Sequence, residues 1–312
     1  MKAVLPGIAR GLLEPHLPAE IEPVWFTTPA EANAMISDAT IAWVDMQPTA
    51  LVADAIRAAG SQLRWVSTIY AGLDAFPLDL LRERGVTLTN GAGINAIAVA
   101  EYAMLAVLAA AKRFDTVLRA ADRQDWLRDA PGKIELDGTR ALIIGYGTIG
   151  RLIGQRLTAF GVGVTGVTRS GRDNTLTPDG WFAQLGSFDW VILAAPSTGM
   201  TRALIGTAEL AAMKPSAWLI NIARGDMIDD DALLAELHGG GIGGAFLDPT
   251  NPEPLPVSHP LWTAPNCMIS MHMSGRSQTT MFQRGATLFL ENARAFVAGR
   301  PMNNVADVDA GY

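Results

Sequence analysis

Cysteine is nearly absent from this chain: Cys267 is the only one in 312 residues. No internal disulfide can form, and a reducing compartment, the cytoplasm, is expected. Histidine is scarce too, with four residues. His238 precedes three glycines at an expected helix end, where it suits the dipole, and His259 stands in a Pro-bounded turn. Neither has a partner at metal-ligand spacing, so no metal site is expected. Basic residues are outnumbered, 24 Lys and Arg against 31 Asp and Glu, for a net charge of −7. That balance argues against non-specific binding of nucleic acid or of anionic membranes. A long apolar run is also missing. Residues 97–111 are the most apolar stretch, but they are too few to span a bilayer and include Glu101. Pro6, Gly7 and Arg10 interrupt the first thirteen residues, so no signal-peptide core is expected. There is no internal repeat and no low-complexity segment. What remains, with 49% hydrophobic and 18% charged residues, is the composition of a soluble globular chain of about two domains.

Against these absences stands one positive signal, Gly145-Tyr146-Gly147-Thr148-Ile149-Gly150. Ala141-Leu142-Ile143-Ile144 before it reads as a buried strand. Leu152, Ile153, Leu157 and Phe160 after it recur at helical spacing. Strand, glycine turn and helix together make a dinucleotide-binding fingerprint. Gly145 permits the tight turn, Gly147 lets backbone approach a pyrophosphate, and Gly150 lets helix and strand pack. The N–H groups of Thr148 and Ile149 then open a helix whose positive end faces the phosphates.

Before the fingerprint, short apolar pieces alternate with helical ones. Val24-Trp25-Phe26, Ile41-Ala42-Trp43-Val44, Leu63-Arg64-Trp65-Val66 and Val86-Thr87-Leu88-Thr89 read as strands. Residues 29–37, 49–59 and 78–84 read as the helices between them, so a parallel sheet is expected. The turn Ala71-Gly72-Leu73-Asp74 follows the third of these strands, where open sheets place ligands, although an ordinary turn would read alike. Residues 94–112 form a long Ala-rich helix, capped by Asn90 or Asn95. Residues 114–137 turn polar around Trp126, as a loop or an arm against another subunit. After the fingerprint, strands are expected at 163–168, 190–194, 218–222, 244–247 and 268–270, with helices at 207–213 and 229–238. The fold class is therefore α/β, with two doubly wound parallel-sheet domains, one of them a Rossmann domain. Residues 1–94 and 277–312 are assigned to a substrate-binding lid domain and 95–276 to the cofactor domain. A last helix at about 279–298 returns to the first domain in that division.

At the end of the strand after the fingerprint, a carboxylate usually binds the cofactor ribose. Here Arg169 stands 19 residues past Gly150, followed by Ser170 and Arg172, while Asp173 lies further along. Guanidinium groups bind a 2′-phosphate that a carboxylate would repel, so NADP is favoured and NAD is the weaker alternative. Two solvated arginines on a loop would give the same sequence.

Three later stretches carry a family likeness. They are Asn221-Ile222-Ala223-Arg224-Gly225-Asp226, then Leu247-Asp248-Pro249-Thr250-Asn251-Pro252-Glu253-Pro254-Leu255-Pro256 with His259-Pro260-Leu261-Trp262, and Ser270-Met271-His272-Met273-Ser274-Gly275. With the glycine fingerprint and Val99-Ala100-Glu101, they resemble the D-isomer-specific 2-hydroxyacid dehydrogenases. The Pro-Glu-Pro-Leu-Pro run most resembles the glyoxylate/hydroxypyruvate reductase branch.

The resemblance implies a catalytic Arg224, Glu253 and His272. A guanidinium fork can bind a keto acid's carboxylate while polarising its carbonyl. A histidine can give a proton to the oxyanion left by hydride transfer and take it back in reverse. A carboxylate beside that histidine favours its charged form and fixes the ring. By the same resemblance, the backbone N–H groups of Ala71 and Gly72 hold the substrate carboxylate. Asp248 orients the nicotinamide carboxamide, and Pro196, Ser197 and Thr198, with Ala223 and Gly275, line the cofactor site. The implied protein is a cytoplasmic homodimer that reduces small 2-keto acids, in a cleft between domains that closes to exclude water. Two rivals stand beside it: an NAD-preferring enzyme for a bulkier hydroxy acid, and a nucleotide-sensing interaction protein like the corepressors that resemble this family. One departure is visible, since the family commonly has Pro before the catalytic His and this chain has Met271. The pocket is therefore expected to differ, with Met46, Tyr70 and Met273 as candidate lining residues.

Overall fold

The computed structural model describes residues 1–46, 50–73 and 75–308. Thr49, at the expected start of a helix, and Asp74, in the expected ligand turn, lie outside the described residues. The chain begins with β1 (Lys2–Pro6), α1 (Arg10–Leu13), β2 (Glu22–Phe26), α2 (Pro29–Met35) and β3 (Ile41–Ala42). It continues through α3 (Ala50–Ala58), β4 (Trp65–Ser67), α4 (Leu78–Glu83) and β5 (Thr87–Thr89). Next come α5 (Ala96–Lys112), α6 (Phe114–Asp122), β6 (Arg140–Ile144), α7 (Thr148–Ala159), β7 (Gly163–Val167) and β8 (Trp190–Leu193). The remainder is α8 (Thr207–Ala212), β9 (Trp218–Asn221), α9 (Asp230–Gly239), β10 (Gly244–Leu247), β11 (Cys267–Ile269) and α10 (Met281–Val297). These divide into two compact units, Met1–Asn95 with Gln278–Tyr312, and Ala96–Ser277.

The first unit is a five-stranded parallel sheet in the order β2-β1-β3-β4-β5. Its strand β1, second in that order between β2 and β3, is absent from the sequence-based expectation. Ala3, Val4, Leu5 and Pro6 are all buried, and a strand covered on both faces shows no alternation to betray it. One face is closed by α10, where the Phe289 ring stacks on Trp65 and Trp43 at centroid distances of 4.9 and 5.4 Å. Burying such an aromatic ring is worth about 1.5–3 kcal/mol, which ties the C-terminal helix to this unit. The start of α2 is sealed by a capping box: Thr28 accepts from the Glu31 amide and Glu31 from the Thr28 amide.

The second unit is a six-stranded parallel sheet in the order β11-β10-β9-β8-β6-β7. Leu176 adds a single parallel bridge to Val167 at the β7 edge. One face packs on α5 and α7, with Ala100, Ala103, Ala106, Ile153 and Leu157 fully buried. The alanines of α5 let its backbone come close to that layer. Neither asparagine expected to cap this helix does so. Asn90 Oδ1 accepts from the Ala92 amide, and Asn95 Oδ1 from Gln278 Nε2. The polar stretch after α5 contains α6 and then an irregular segment with Trp126, which is 92% exposed. No helix among the described residues is long and apolar enough to cross a membrane.

Candidate active site

Three neighbouring strands deliver the three expected catalytic side chains. Arg224 follows β9, Glu253 lies in the loop after β10, and His272 follows β11. All three therefore leave carboxyl ends on one edge of one sheet, where parallel α/β sheets bind ligands. Glycine decides how closely the first two loops approach. A Cβ on Gly225 would meet the Thr250 carbonyl carbon at 2.1 Å, so no larger residue fits there. Asn221, fully buried, shapes the turn to Arg224: its Nδ2 donates to the Arg224 carbonyl at 2.7 Å and its Oδ1 accepts from the Ala223 amide. Arg224 Nη1 donates to the Ala223 carbonyl at 2.8 Å.

His272 Nδ1 lies 2.9 Å from Glu253 Oε2, and both side chains are about two-fifths exposed. The Thr250 amide donates to the other carboxylate oxygen at 3.1 Å. Burial works to raise the Glu253 carboxyl. It is outweighed by the His272 hydrogen bond and charge, the Thr250 amide and the Arg224 charge, which together hold the carboxyl below its ordinary value. At neutral pH the site thus presents a carboxylate, an imidazole fixed by it at one nitrogen, and a guanidinium whose charge favours that carboxylate.

The backbone under the histidine is unusual. Met271 and His272 both have left-handed φ, +56° and +55°. A proline ring locks φ near −65°, so the proline expected from the family pattern cannot stand at Met271 in this conformation. Buried Asp248 holds the turn. Its Oδ1 accepts from the Ser270 hydroxyl at 2.7 Å and from the Met273 and Ser274 amides, and its carbonyl accepts from the His272 amide at 2.7 Å. Asp248 was expected to orient the nicotinamide. Its positioning of His272 is an added role that the sequence does not reveal.

The glycine fingerprint behaves as its spacing suggests. Gly145 has φ +99°, and a Cβ there would strike the Ala195 amide nitrogen at 2.3 Å; one on Gly150 would strike the Gly145 carbonyl at 2.2 Å. At Gly147, by contrast, a Cβ would meet open space, and no side chain caps the start of α7 at Thr148 and Ile149. That exposed, uncapped helix end, with no acidic residue in its first turn, fits a dinucleotide pyrophosphate. Ser197, beside Pro196 in the loop after β8, donates to Asp226 Oδ2 at 2.9 Å. Gly275 follows the His272 turn in a short 3₁₀ segment. Arg169, Ser170 and Arg172 lie exposed on the loop after β7, where Arg172 Nε donates to Ser170 Oγ at 3.0 Å. Asp173 on that loop pairs with Arg151 at 2.5 Å, an ion pair the sequence does not announce.

Ala71 and Gly72 belong to the first unit, on the loop after β4. Among the described residues neither amide N–H donates to a partner, while the Ala71 carbonyl accepts from Asn90 Nδ2 at 3.2 Å. Met46 lines an open cavity of the first unit; Tyr70 and Met273 do not. Two other histidines are engaged locally: His238 Nδ1 contacts the Leu234 carbonyl at 2.8 Å, and His259 Nε2 lies 3.7 Å from Asp230. Burial, with help from the Asp230 charge, pushes the Cys267 thiol up to about 12, so it is no nucleophile.

Residues 104–274 match the family model for the NAD-binding domain of D-isomer specific 2-hydroxyacid dehydrogenases. A glyoxylate/hydroxypyruvate reductase B of Pectobacterium carotovorum is 33% identical over 257 residues, covering 78% of each chain. A glycerate dehydrogenase of Methylorubrum extorquens is 30% identical over 300 residues, covering 93% of this chain and 92% of the relative. The crystal structure of a D-isomer specific 2-hydroxyacid dehydrogenase family protein from Aeromonas salmonicida superposes with a TM-score of 0.88 at 28% identity, over 99% of both chains. With a doubly wound sheet, a glycine turn shaped for a nicotinamide dinucleotide and relatives matched over most of their length, the chain belongs to the D-isomer specific 2-hydroxyacid dehydrogenases, nearest in kind to their glyoxylate/hydroxypyruvate reductase branch.

Proposed function

We propose that this enzyme uses NADPH to reduce small 2-keto acids of the glyoxylate and hydroxypyruvate type, with His272 as the acid. The observation that carries the reading is the 2.9 Å His272–Glu253 pair within reach of the Arg224 charge. Bound NADPH supplies the hydrogen and electron pair that reduce the carbonyl carbon. Arg224 holds the keto acid and draws negative charge toward the carbonyl oxygen. His272, held at Nδ1 by Glu253, gives the proton on Nε2 to that oxygen, and the neutral ring takes it back in the reverse reaction. The amides of Ala71 and Gly72 are assigned to the substrate carboxylate, and the first unit to substrate binding.

The preference for NADPH rests on Arg169, Ser170 and Arg172, with Asp173 supporting it, since that carboxylate is committed to Arg151. Asp248 Oδ2, Pro196, Ser197, Ala223 and Gly275 border the cofactor. The enzyme acts in the cytoplasm as a homodimer, and exposed Leu105, Phe114, Leu118 and Trp126 on and after α5 and α6 support that assembly. Absorbance at 340 nm, with glyoxylate, hydroxypyruvate and bulkier 2-keto acids each offered NADPH or NADH, tests the reading. Turnover of the two small acids with NADPH, abolished in His272→Ala, is expected. No turnover of any keto acid would overturn it, and turnover only with NADH and bulky acids would replace it with the NAD-dependent alternative.

A further inference from the structure

The loop after β7 combines opposing signals. It offers two guanidinium groups, Arg169 and Arg172, and one carboxylate, Asp173, all exposed. A carboxylate there repels a 2′-phosphate and accepts readily from the ribose hydroxyls of NADH. The loop is also well tied. At its neck the Leu176 amide donates to the Gly166 carbonyl at 2.8 Å and the Thr168 amide to the Leu176 carbonyl at 3.0 Å. The Thr168 and Thr175 hydroxyls lie 2.7 Å apart across the same neck. Further out, the Thr175 hydroxyl donates to the Arg172 carbonyl at 2.6 Å. Asp173 and Asn174 turn the chain with left-handed φ, +58° and +59°, a region that short polar residues tolerate.

Arg151, near the start of α7, meets that carboxylate: its Nη2 donates to Asp173 Oδ2 at 2.5 Å. The same guanidinium lies 5.5 Å from the centroid of the Tyr146 ring, within cation–π range. Tyr146 is itself fixed. A Cβ on Gly154 would meet its hydroxyl oxygen at 2.5 Å, and one on Gly166 would meet its Cγ at 2.4 Å. The ring thus fills a slot between α7 and β7 that only glycines leave open, and Arg151 is placed by two partners. With Arg151 counted, three guanidinium groups and one carboxylate leave a net charge of +2; without it, +1.

We propose that Arg151 is a specificity-determining residue for NADPH, acting by neutralising Asp173 rather than by touching the phosphate. This deepens the NADPH reading and rests on it. Isothermal titration of the full-length protein with 2′,5′-ADP and with 5′-AMP tests it, since the two ligands differ only in the 2′-phosphate and no catalysis is involved. Arg151→Gln lowers the net charge to +1. Its selectivity for 2′,5′-ADP over 5′-AMP should fall roughly two- to fivefold, the range for an exposed charge pair, since the two side chains are 46% and 62% exposed.

Arg151→Gln combined with Asp173→Asn breaks the ion pair but returns the net charge to +2, so it should recover the selectivity of the unmodified protein. Asp173→Asn alone should match or exceed it. Affinity for 5′-AMP, held or improved in every variant, reports that the site remains folded. Unchanged selectivity in Arg151→Gln overturns the proposal. So does a double variant as poor as Arg151→Gln, because Arg151 would then act by contact or by tethering the loop. An unmodified protein that binds both nucleotides equally overturns the NADPH reading itself, and this inference with it.

Discussion

Glu253→Gln removes one charge from the His272 pair and keeps the hydrogen-bonding outline. The Nδ1–Oε2 distance of 2.9 Å places the charge centres about 4 Å apart, where two unit charges interact by about 1 kcal/mol in water and about 4 kcal/mol at an effective dielectric of 20. Both side chains are about 40% exposed, so solvent screens the pair and the lower figure applies, about 1 kcal/mol. The sign follows from the charge. Glu253 is held below the ordinary carboxylate range, so it is ionised throughout an assay from pH 6 to 9. Its negative charge there favours the protonated ring on which the proposed reduction depends.

In Glu253→Gln, the high-pH fall of kcat/KM for keto-acid reduction should therefore move to lower pH. At the acid end the two profiles should converge apart from a constant loss due to freer ring orientation. NADPH binding, read by fluorescence titration, should be unchanged. Raising the salt to about 1 M shortens the screening length to about 3 Å, so the difference between the two limbs should shrink. A high-pH limb that stays in place, or moves to higher pH, would refute the electrostatic coupling of Glu253 to His272.

Arg169→Asp should raise the KM for NADPH roughly ten- to a hundredfold while leaving NADH use intact or improved; equal KM values for both cofactors in the unmodified enzyme would contradict the assignment of Arg169, Ser170 and Arg172. Light scattering at micromolar concentration should give about twice the 33.1 kDa chain mass, and a clean monomer would sink the dimer. Met271→Pro, a return to the common family residue, should lower kcat and thermal stability here, because φ +56° is closed to proline; an unimpaired, equally stable variant would show that the turn has no need of that conformation. Met271→Gly, which relieves the left-handed backbone, should cost no stability.

The second unit was the more legible because its signals are local and mutually consistent. A buried strand, three spaced glycines and an apolar helical stripe sit within about twenty residues, and β6, α7 and β7 fall where those signals place them. In the first unit, the strands with flanking polar turns were visible and β1 was not. Lys2–Pro6 is too short and too uniformly buried to show a period, and its place between β2 and β3 depends on pairing with strands further along the chain. The cap at the start of α5 was misplaced for a related reason. Asn90 and Asn95 have the right chemistry, but a local turn at Ala92 and a distant partner, Gln278, take their carbonyl oxygens first.

The candidate site divides along the same line. Arg224, Glu253 and His272 were legible because each sits in a recognisable motif, and their convergence needed only that β9, β10 and β11 be adjacent and parallel. The residues that set their geometry were not legible. Asn221 reads as the end of a strand and Asp248 as a loop carboxylate, yet they are 0% and 1% exposed and supply the hydrogen bonds that bend the chain under Arg224 and His272. Two consecutive non-glycine residues in the left-handed region cost roughly 1–3 kcal/mol each, and no propensity scale would place them at Met271 and His272. They persist because three donors converge on one Asp248 oxygen while the Asp248 carbonyl takes the His272 amide. The histidine's position is thus a property of a buried carboxylate 24 residues earlier, fixed by the β10–β11 register, and it becomes visible only once that register is known.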